Sequence, residues 1–327
     1  MPTIRRAENR TRRKIWPVTR TILSELGERG YQARIVPIRR LDDLRESYED
    51  LHSKGLLDER FYKEQITALA FRPPEDMRQA RSLVVVAARD PAVRCVFRWR
   101  GEDVSLLIPP TYVHGLRKDK RLEAVVETLL ESEGYQARRL RAPKKRLAAC
   151  SGLAQYGKNN ITYVPGMGSF HRLAVLCSEL PCEQDDWGPP SAMARCEHCR
   201  LCTAECPTGA ISEDRFLLRA ELCITYWNEQ SSDVPFPEWL DESWHNSVVG
   251  CMCCQEVCPE NQEVLNYCEL GPEFTEEETA LLLDGAPASG LPTMLEGKLQ
   301  EWDLMRWLDV LPRNLEMHLR SRGQRFT

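Results

Sequence analysis

The chain is 327 residues long, 42% hydrophobic and 28% charged, which excludes a disulfide-stapled miniprotein and a chain disordered throughout, and leaves room for about two compact units. Lys plus Arg number 44 against 49 Asp plus Glu, a formal net charge of −5, so no global attraction to nucleic acid is expected. The 14 cysteines stand out, and because a reducing cytoplasm disfavours structural disulfides, metal ligation is the first explanation to test.

Residues 1–10 lack the apolar segment of a secretory leader, so a cytoplasmic location is expected. Val18, Ile22, Leu23 and Leu26 recur at helical spacing and predict a helix over 18–30 that Gly27 and Gly30 can stop, with a strand over 31–38. The words Gly30-Tyr31-Gln32-Ala33-Arg34 and Gly134-Tyr135-Gln136-Ala137-Arg138 repeat after leucine-bearing helix ends and mark two helix-to-strand joints. Residues 82–88 read as a buried strand. Its apolar run, Leu83 to Ala88, is far below the roughly 18 residues that cross a bilayer, so no membrane association is expected. Residues 93–99 and 102–108 flank the turn at Arg100-Gly101 and predict a hairpin, hence antiparallel pairing.

A helix over 119–133 follows, with a strand at 172–177 and a polar, proline-bearing stretch from Pro181 to Pro190 that suggests a boundary. Helical stretches near 293–309 and 314–321 form a short tail. The expected fold class is α+β, a mixed or antiparallel sheet with flanking helices, divided into 1–185, a cysteine-rich segment 186–268 and a helical tail 269–327.

The cysteine spacing is specific. Cys196-x-x-Cys199-x-x-Cys202-x-x-x-Cys206-Pro207 has the spacing of a bacterial ferredoxin loop, in which three thiolates serve one 4Fe-4S cube and the fourth serves another. The second array, Cys251-x-x-Cys254-x-x-x-Cys258-Pro259, lacks a leading cysteine that Cys223 can supply. The crossover then gives Cys196, Cys199, Cys202 and Cys258 to one cluster, and Cys206, Cys223, Cys251 and Cys254 to the other, with Cys253 as the rival for Cys254. Zinc, the alternative, more often uses two separated Cys-x-x-Cys pairs. Between Cys223 and Cys251 lie 27 residues where a compact ferredoxin has two, an insertion whose extra closure entropy is only about 2 kcal/mol. Residues 228–244 are therefore expected to serve a further role, such as covering a substrate cavity. Cys95, Cys150, Cys177, Cys182, Cys253 and Cys268 have no ligand spacing and read as small buried hydrophobes.

A glycine-rich run, Ser151-Gly152-Leu153-Ala154-Gln155-Tyr156-Gly157-Lys158-Asn159-Asn160, precedes Gly166-Met167-Gly168-Ser169-Phe170. It matches neither the P-loop nor the G-x-G-x-x-G spacing. Taken with the downstream arrays it resembles the epoxyqueuosine reductase family, corrinoid iron–sulfur enzymes related to the reductive dehalogenases. The likeness runs over about 80–270, includes Cys223-Ile224-Thr225-Tyr226 and Cys206-Pro207-Thr208-Gly209-Ala210-Ile211, and continues into Pro312-Arg313-Asn314-Leu315. The resemblance implies a nitroreductase-like scaffold, a ferredoxin-like double 4Fe-4S domain and a bound cobalamin, with Gly152, Gly157, Lys158, Asn159, Gly168 and Ser169 lining the corrinoid. Ala154, Gln155 and Phe170 depart from the family words. The family's catalytic aspartate falls within residues 138–143, where this chain has no acid.

The expected function is a cytoplasmic oxidoreductase relaying single electrons through two clusters to a corrinoid that reduces an organic substrate; the alternative is a corrinoid-free electron-transfer or partner-binding protein. Tyr112, His114 and Tyr156 are the candidate proton donors. By analogy a ferredoxin or flavodoxin donates electrons, and the substrate is a small molecule or nucleoside, with tRNA a further partner. The basic run Arg138, Arg139, Arg141, Lys144, Lys145, Arg146 reads either as a solvated face or as the site of an anionic ligand.

Overall fold

A computed structural model describes residues 18–323, except the side chains of 320–323; residues 1–10 and the leader question lie outside the described residues. The strands are β1 (Gln32–Pro37), β2 (Ser82–Arg89), β3 (Ala92–Trp99), β4 (Glu102–Ile108), β5 (Ala137–Arg139), β6 (Gln155–Tyr156), β7 (Thr162–Tyr163), β8 (His171–Ser178) and β9 (Cys268–Phe274). They form a four-stranded antiparallel sheet, β1-β2-β8-β5, a three-stranded mixed sheet, β4-β3-β9, and the small β6-β7 pair.

The valine run of β2 is apolar on both faces because both faces are covered. Leu83, Val85 and Ala87 enter one core, while Val84 and Val86 enter the other, the alternation that a pleated strand imposes. Each buried Leu or Val side chain contributes about 2 kcal/mol relative to exposure. One core is closed by the helix over residues 18–28, through Ile22 and Leu26, and by the helix Gly115–Ser132, through Leu122, Val126 and Leu130. The other is closed by the helices Arg40–Ser53 and Lys144–Cys150 and by Leu153, Ala154, Val164 and Met167 of the glycine-rich run. That packing brings the glycine-rich run across the sheet toward the cysteine segment.

The repeated words are equivalent helix stops. Gly30 has φ 80° and Gly134 has φ 83°, and the amides of Tyr31 and Tyr135 each return 2.9 Å to a leucine carbonyl, that of Leu26 or Leu130. Left-handed glycines end helices in this way, and the strands that follow, β1 and β5, are the two edges of one sheet.

The helix expected at 119–133 begins earlier, at Gly115. The stretch expected at 293–309 is broken after Thr293–Glu301, where Asp303 takes φ 58° and its carboxylate accepts the Leu116 amide at 3.0 Å. Residues 268–274 form β9 and run parallel to β3, so the chain beyond the cysteine loops returns to the hairpin and shares a core with it through Phe97, Phe274, Leu295, Leu311 and Leu315. Among the described residues no helix is long and apolar enough to cross a membrane.

Candidate functional site

Short turns aim the thiols inward. Cys196 lies in the 3-10 turn Ala194–Glu197, Cys202 on the helix Leu201–Glu205, and Cys258 just before the turn that Pro259 opens. Cys196, Cys199, Cys202 and Cys258 line one pocket together with Gly157, Lys158, Asn159 and Tyr163. The other set gathers behind it. Cys254 faces Cys223 and Cys206 at electrostatic range, and Cys251 faces Cys254. Cys223 is the N-cap of the helix Ile224–Asn228; burial pushes its thiol up, and the amides of Thr225 and Tyr226, which donate to it, offset part of that. Cys253 hydrogen-bonds Cys251 and Asn246 and is turned toward Glu205 and Glu256. Among the described residues no three His, Cys, Asp or Glu groups converge as a single ion requires; thiolates around a cube stand farther apart than ligands around one ion.

Tyr163, which sequence reading did not single out, stands between the two thiol groups. Its hydroxyl bonds Cys258 and accepts from Asn159 Nδ2 at 2.9 Å, and Asn159 also bonds the Cys254 thiol. Gly157 makes room for both: a Cβ there would lie 2.5 Å from Asn159 Oδ1 and 2.6 Å from Tyr163 Cε2. The Lys158 amide donates to the Cys196 thiol. Gly168 and Ser169 dock on Asn261, three residues past Cys258. The Ser169 amide donates to Asn261 Oδ1 at 2.9 Å, and Asn261 Nδ2 donates to Ser169 Oγ at 2.8 Å and to the Gln255 carbonyl at 2.9 Å. Phe170 packs there against Ala92, Met252 and Val264. Gly152 instead ends the helix Lys144–Cys150 at φ 71°. Five of the six residues named by resemblance thus meet at the cluster loops.

A second feature adjoins the inner thiols. Tyr112 is half-buried, and Lys145 and Glu229 are exposed, yet protein surrounds all three so fully that desolvation dominates their ionisation. Side chains that reach water yet are closely surrounded by protein lie in a concave stretch of surface, a cleft. The Tyr112 hydroxyl donates to Glu229 Oε1. Burial raises the Glu229 carboxyl and the Tyr112 phenol and lowers the Lys145 ammonium, which feels Glu229, Cys223 and Cys254. The cleft therefore lies against the inner set.

The other donor candidates stand elsewhere. His114 stacks on Trp302 at 4.6 Å, contacts Arg117 and reaches Glu269 at 4.0 Å, and burial lowers its pKa. Tyr156 is buried edge-on to Phe216, with its phenol pushed up by burial. Most of the basic run is paired: Arg138 with Asp76 at 3.3 Å, Arg139 with Glu123 at 3.1 Å, Lys144 with Asp119 at 3.9 Å, and Arg146 over the Tyr48 ring. Lys145 faces the cleft.

Residues 195–261 match the 4Fe-4S double cluster binding domain family, and two 4Fe-4S clusters are the cofactors of this segment. Epoxyqueuosine reductases from Cyclobacterium marinum and Prochlorococcus marinus are 34% and 29% identical, over 36% and 51% of this chain and 37% and 48% of their own lengths. Over those stretches the chain is similar in sequence to epoxyqueuosine reductases. It matches between a third and a half of the length of these curated relatives. The solved epoxyqueuosine reductase from Bacillus subtilis superposes with a TM-score of 0.67 at 22% identity, over 93% of this chain and 82% of that one, and the Streptococcus thermophilus enzyme with 0.64 at 17% identity, over 92% and 80%. The epoxyqueuosine reductase-like fold thus extends over nearly the whole chain, well beyond the cysteine loops.

Proposed function

We propose that this protein is an iron–sulfur reductase that carries single electrons through two 4Fe-4S clusters into the cleft, where a bound corrinoid and an organic substrate meet. The observation that carries this reading is the meeting of Tyr112, Glu229 and Lys145 on a concave, water-reached surface beside the inner thiols: a pure electron carrier has no need of such a set. The outer cluster is held by Cys196, Cys199, Cys202 and Cys258 and the inner by Cys206, Cys223, Cys251 and Cys254. Tyr163 and Asn159 touch both sets and lie on the path between them. The division into 1–185, 186–268 and 269–327 belongs to the proposal, supported by the coil around Pro181 to Pro190.

A corrinoid bound in the cleft would supply a metal centre that takes electrons singly and passes them to an organic electrophile. The chain's residues fit it in chemistry: Lys145 offers donors to its amide or phosphate oxygens, and the wall is polar and wetted. Arg313 and Asn314 of the tail hold the helix that carries Cys223, and the buried Phe170 contact fixes the glycine-rich run against the cluster loops. The substrate class is a nucleoside or small electrophile. A related epoxyqueuosine reductase has been solved with an epoxyqueuosine-modified tRNA stem loop, which supports testing that substrate first. A small one-electron protein of the ferredoxin or flavodoxin kind is the proposed donor, in the cytoplasm.

One observation favours a second reading, a corrinoid-free carrier. Gly157, Asn159, Gly168 and Ser169 have work at the cluster loops without any corrinoid. Anaerobic reconstitution with iron, sulfide and hydroxocobalamin, followed by gel filtration, separates the two. About eight irons with one cobalt per chain is the expected result, and the same iron without cobalt establishes the carrier.

A further inference from the structure

The helix Ile224–Asn228 joins a cluster ligand to a carboxyl. Cys223 is its N-cap and Glu229 its C-cap, six residues apart, or about 9 Å at helical rise. The structure spends many contacts on fixing that carboxyl. Arg313 donates to the carbonyls of Trp227 at 3.0 Å and Gln230 at 2.9 Å, on either side of Glu229, and to those of Ser231 and Val234. Asn314 donates to the Asn228 carbonyl at 2.9 Å, and Asn228 to the Gly250 carbonyl at 2.9 Å.

Tyr112 comes from the opposite wall, on a loop under backbone strain. Thr111 has φ 80° and His114 φ 53°, and the Thr111 amide is tied to the buried Asp90 carboxylate at 2.9 Å. A β-branched residue at positive φ is strained and persists only where the surroundings dictate it. The Tyr112 ring lies 5.5 Å from Trp307 and fits over Gly250, where a Cβ would approach its Cζ to 3.1 Å. Its hydroxyl ends on Glu229. Lys145 and Arg306 are the cations that face the carboxyl. Residues 138–143, where a related loop would carry an aspartate, offer no acid.

We propose that Glu229, held by Tyr112 and faced by Lys145, delivers the proton to the substrate in the cleft. The inference rests on the reductase reading. The substrate gains two electrons, supplied singly by an external one-electron carrier through the clusters, and two protons. The Glu229 O–H bond breaks as a bond from substrate carbon or oxygen to hydrogen forms, leaving a carboxylate that water at the cleft mouth reprotonates; the second proton comes from water. Burial that holds the carboxyl above its ordinary range agrees with this role, since a general acid works best near the ambient pH.

The test begins without substrate or corrinoid. In cluster-loaded protein, infrared difference spectra over a pH titration should show a protonated-carboxyl band that titrates above the ordinary glutamate range, shifts in Tyr112→Phe and vanishes in Glu229→Gln. Burial raises the Glu123 and Glu256 carboxyls as well, so the wild-type spectrum is read against that of Glu229→Gln, and the loss of no band above the ordinary range in the variant overturns the proposal. In corrinoid-loaded protein, Glu229→Gln should keep iron, cobalt and dithionite-driven corrinoid reduction, while single-turnover reduction of an electrophile that the wild type consumes falls about 100-fold or more. An undiminished rate overturns the proton role and leaves the reductase reading standing. Failure of the wild type to retain cobalt overturns the reductase reading, and with it the proposal.

Discussion

Two glycine-to-alanine exchanges separate the geometry of the cluster interface from backbone strain alone. Gly152 and Gly168 both have positive φ, 71° and 56°, so alanine at either costs about 1–2 kcal/mol in conformation. At Gly152 nothing lies within 4 Å of the added Cβ, and the cost stops there. At Gly168 the Cβ would fall 2.4 Å from Asn261 Oδ1 and 2.9 Å from the Glu260 carbonyl oxygen. The carbonyl is backbone and cannot rotate away. Asn261 must leave its place, and the bonds to the Ser169 amide, Ser169 Oγ and the Gln255 carbonyl go with it, at about 1 kcal/mol each. Gly168→Ala should therefore cost about 4–5 kcal/mol against about 1–2 for Gly152→Ala. Anaerobic denaturant unfolding of the cluster-loaded protein, followed with iron content, measures both. The Gly168 variant should also lose iron, because Asn261 anchors the segment that bears Cys258. Equal destabilisation by the two alanines, with full iron retained, would refute the proposed docking of the glycine-rich run on the cluster loops.

Cys254→Ala should lower iron from about eight to about four per chain while Cys253→Ala leaves it unchanged; the reverse in an iron assay would transfer the ligand role to Cys253. Arg313→Met removes four donated bonds to backbone carbonyls and is expected to cost about 3 kcal/mol in denaturant unfolding, a loss below about 1 kcal/mol counting against the clamp. His171 is buried between the Gly168 carbonyl and Thr162, and burial pushes its pKa down from 6.5 to about 4. Its unfolded form therefore takes up a proton below pH 6.5 that the folded form refuses. Stability present above that pH is lost as it falls to about 4, by about 3 kcal/mol. Unfolding curves at stepped pH should show His171→Asn losing less over that interval than the wild type.

The parts legible in the sequence are those set by local pattern. The valine run of β2, the hairpin of β3 and β4, and the two glycine stops at Gly30 and Gly134 follow from a short β-branched run, from strands flanking a turn, and from the residue that takes left-handed backbone without a Cβ penalty. Thiol spacing is equally local, and it marks the segment that the double-cluster family covers. The strand β9 was not legible, because Cys268–Phe274 contains Gly271 and Pro272 and its pairing is with a strand about 170 residues earlier. Nor was the break at Asp303, whose cause is an amide donor at Leu116.

The cleft shows why a reading along the chain, which names Tyr112 and Lys145 separately, does not bring them to Glu229. Tyr112 belongs to a loop after a hairpin, Lys145 to the first turn of a helix, and Glu229 to the insertion between two cluster ligands. None has a motif, and their meeting depends on the tail. Arg313 and Asn314 reach back to the end of the helix that Cys223 begins, while Ser231 and Ser232 bond Asp309 at 2.7 and 2.9 Å. The insertion thus leans on the tail, and the tail shares its core with the hairpin that leads to Tyr112. The packing of the tail on the hairpin thus brings Tyr112 to Glu229. A chain that has no acid at residues 138–143 places one beside Tyr112 and Lys145 from the C-cap of a short helix, whose position is set by contacts more than 80 residues away.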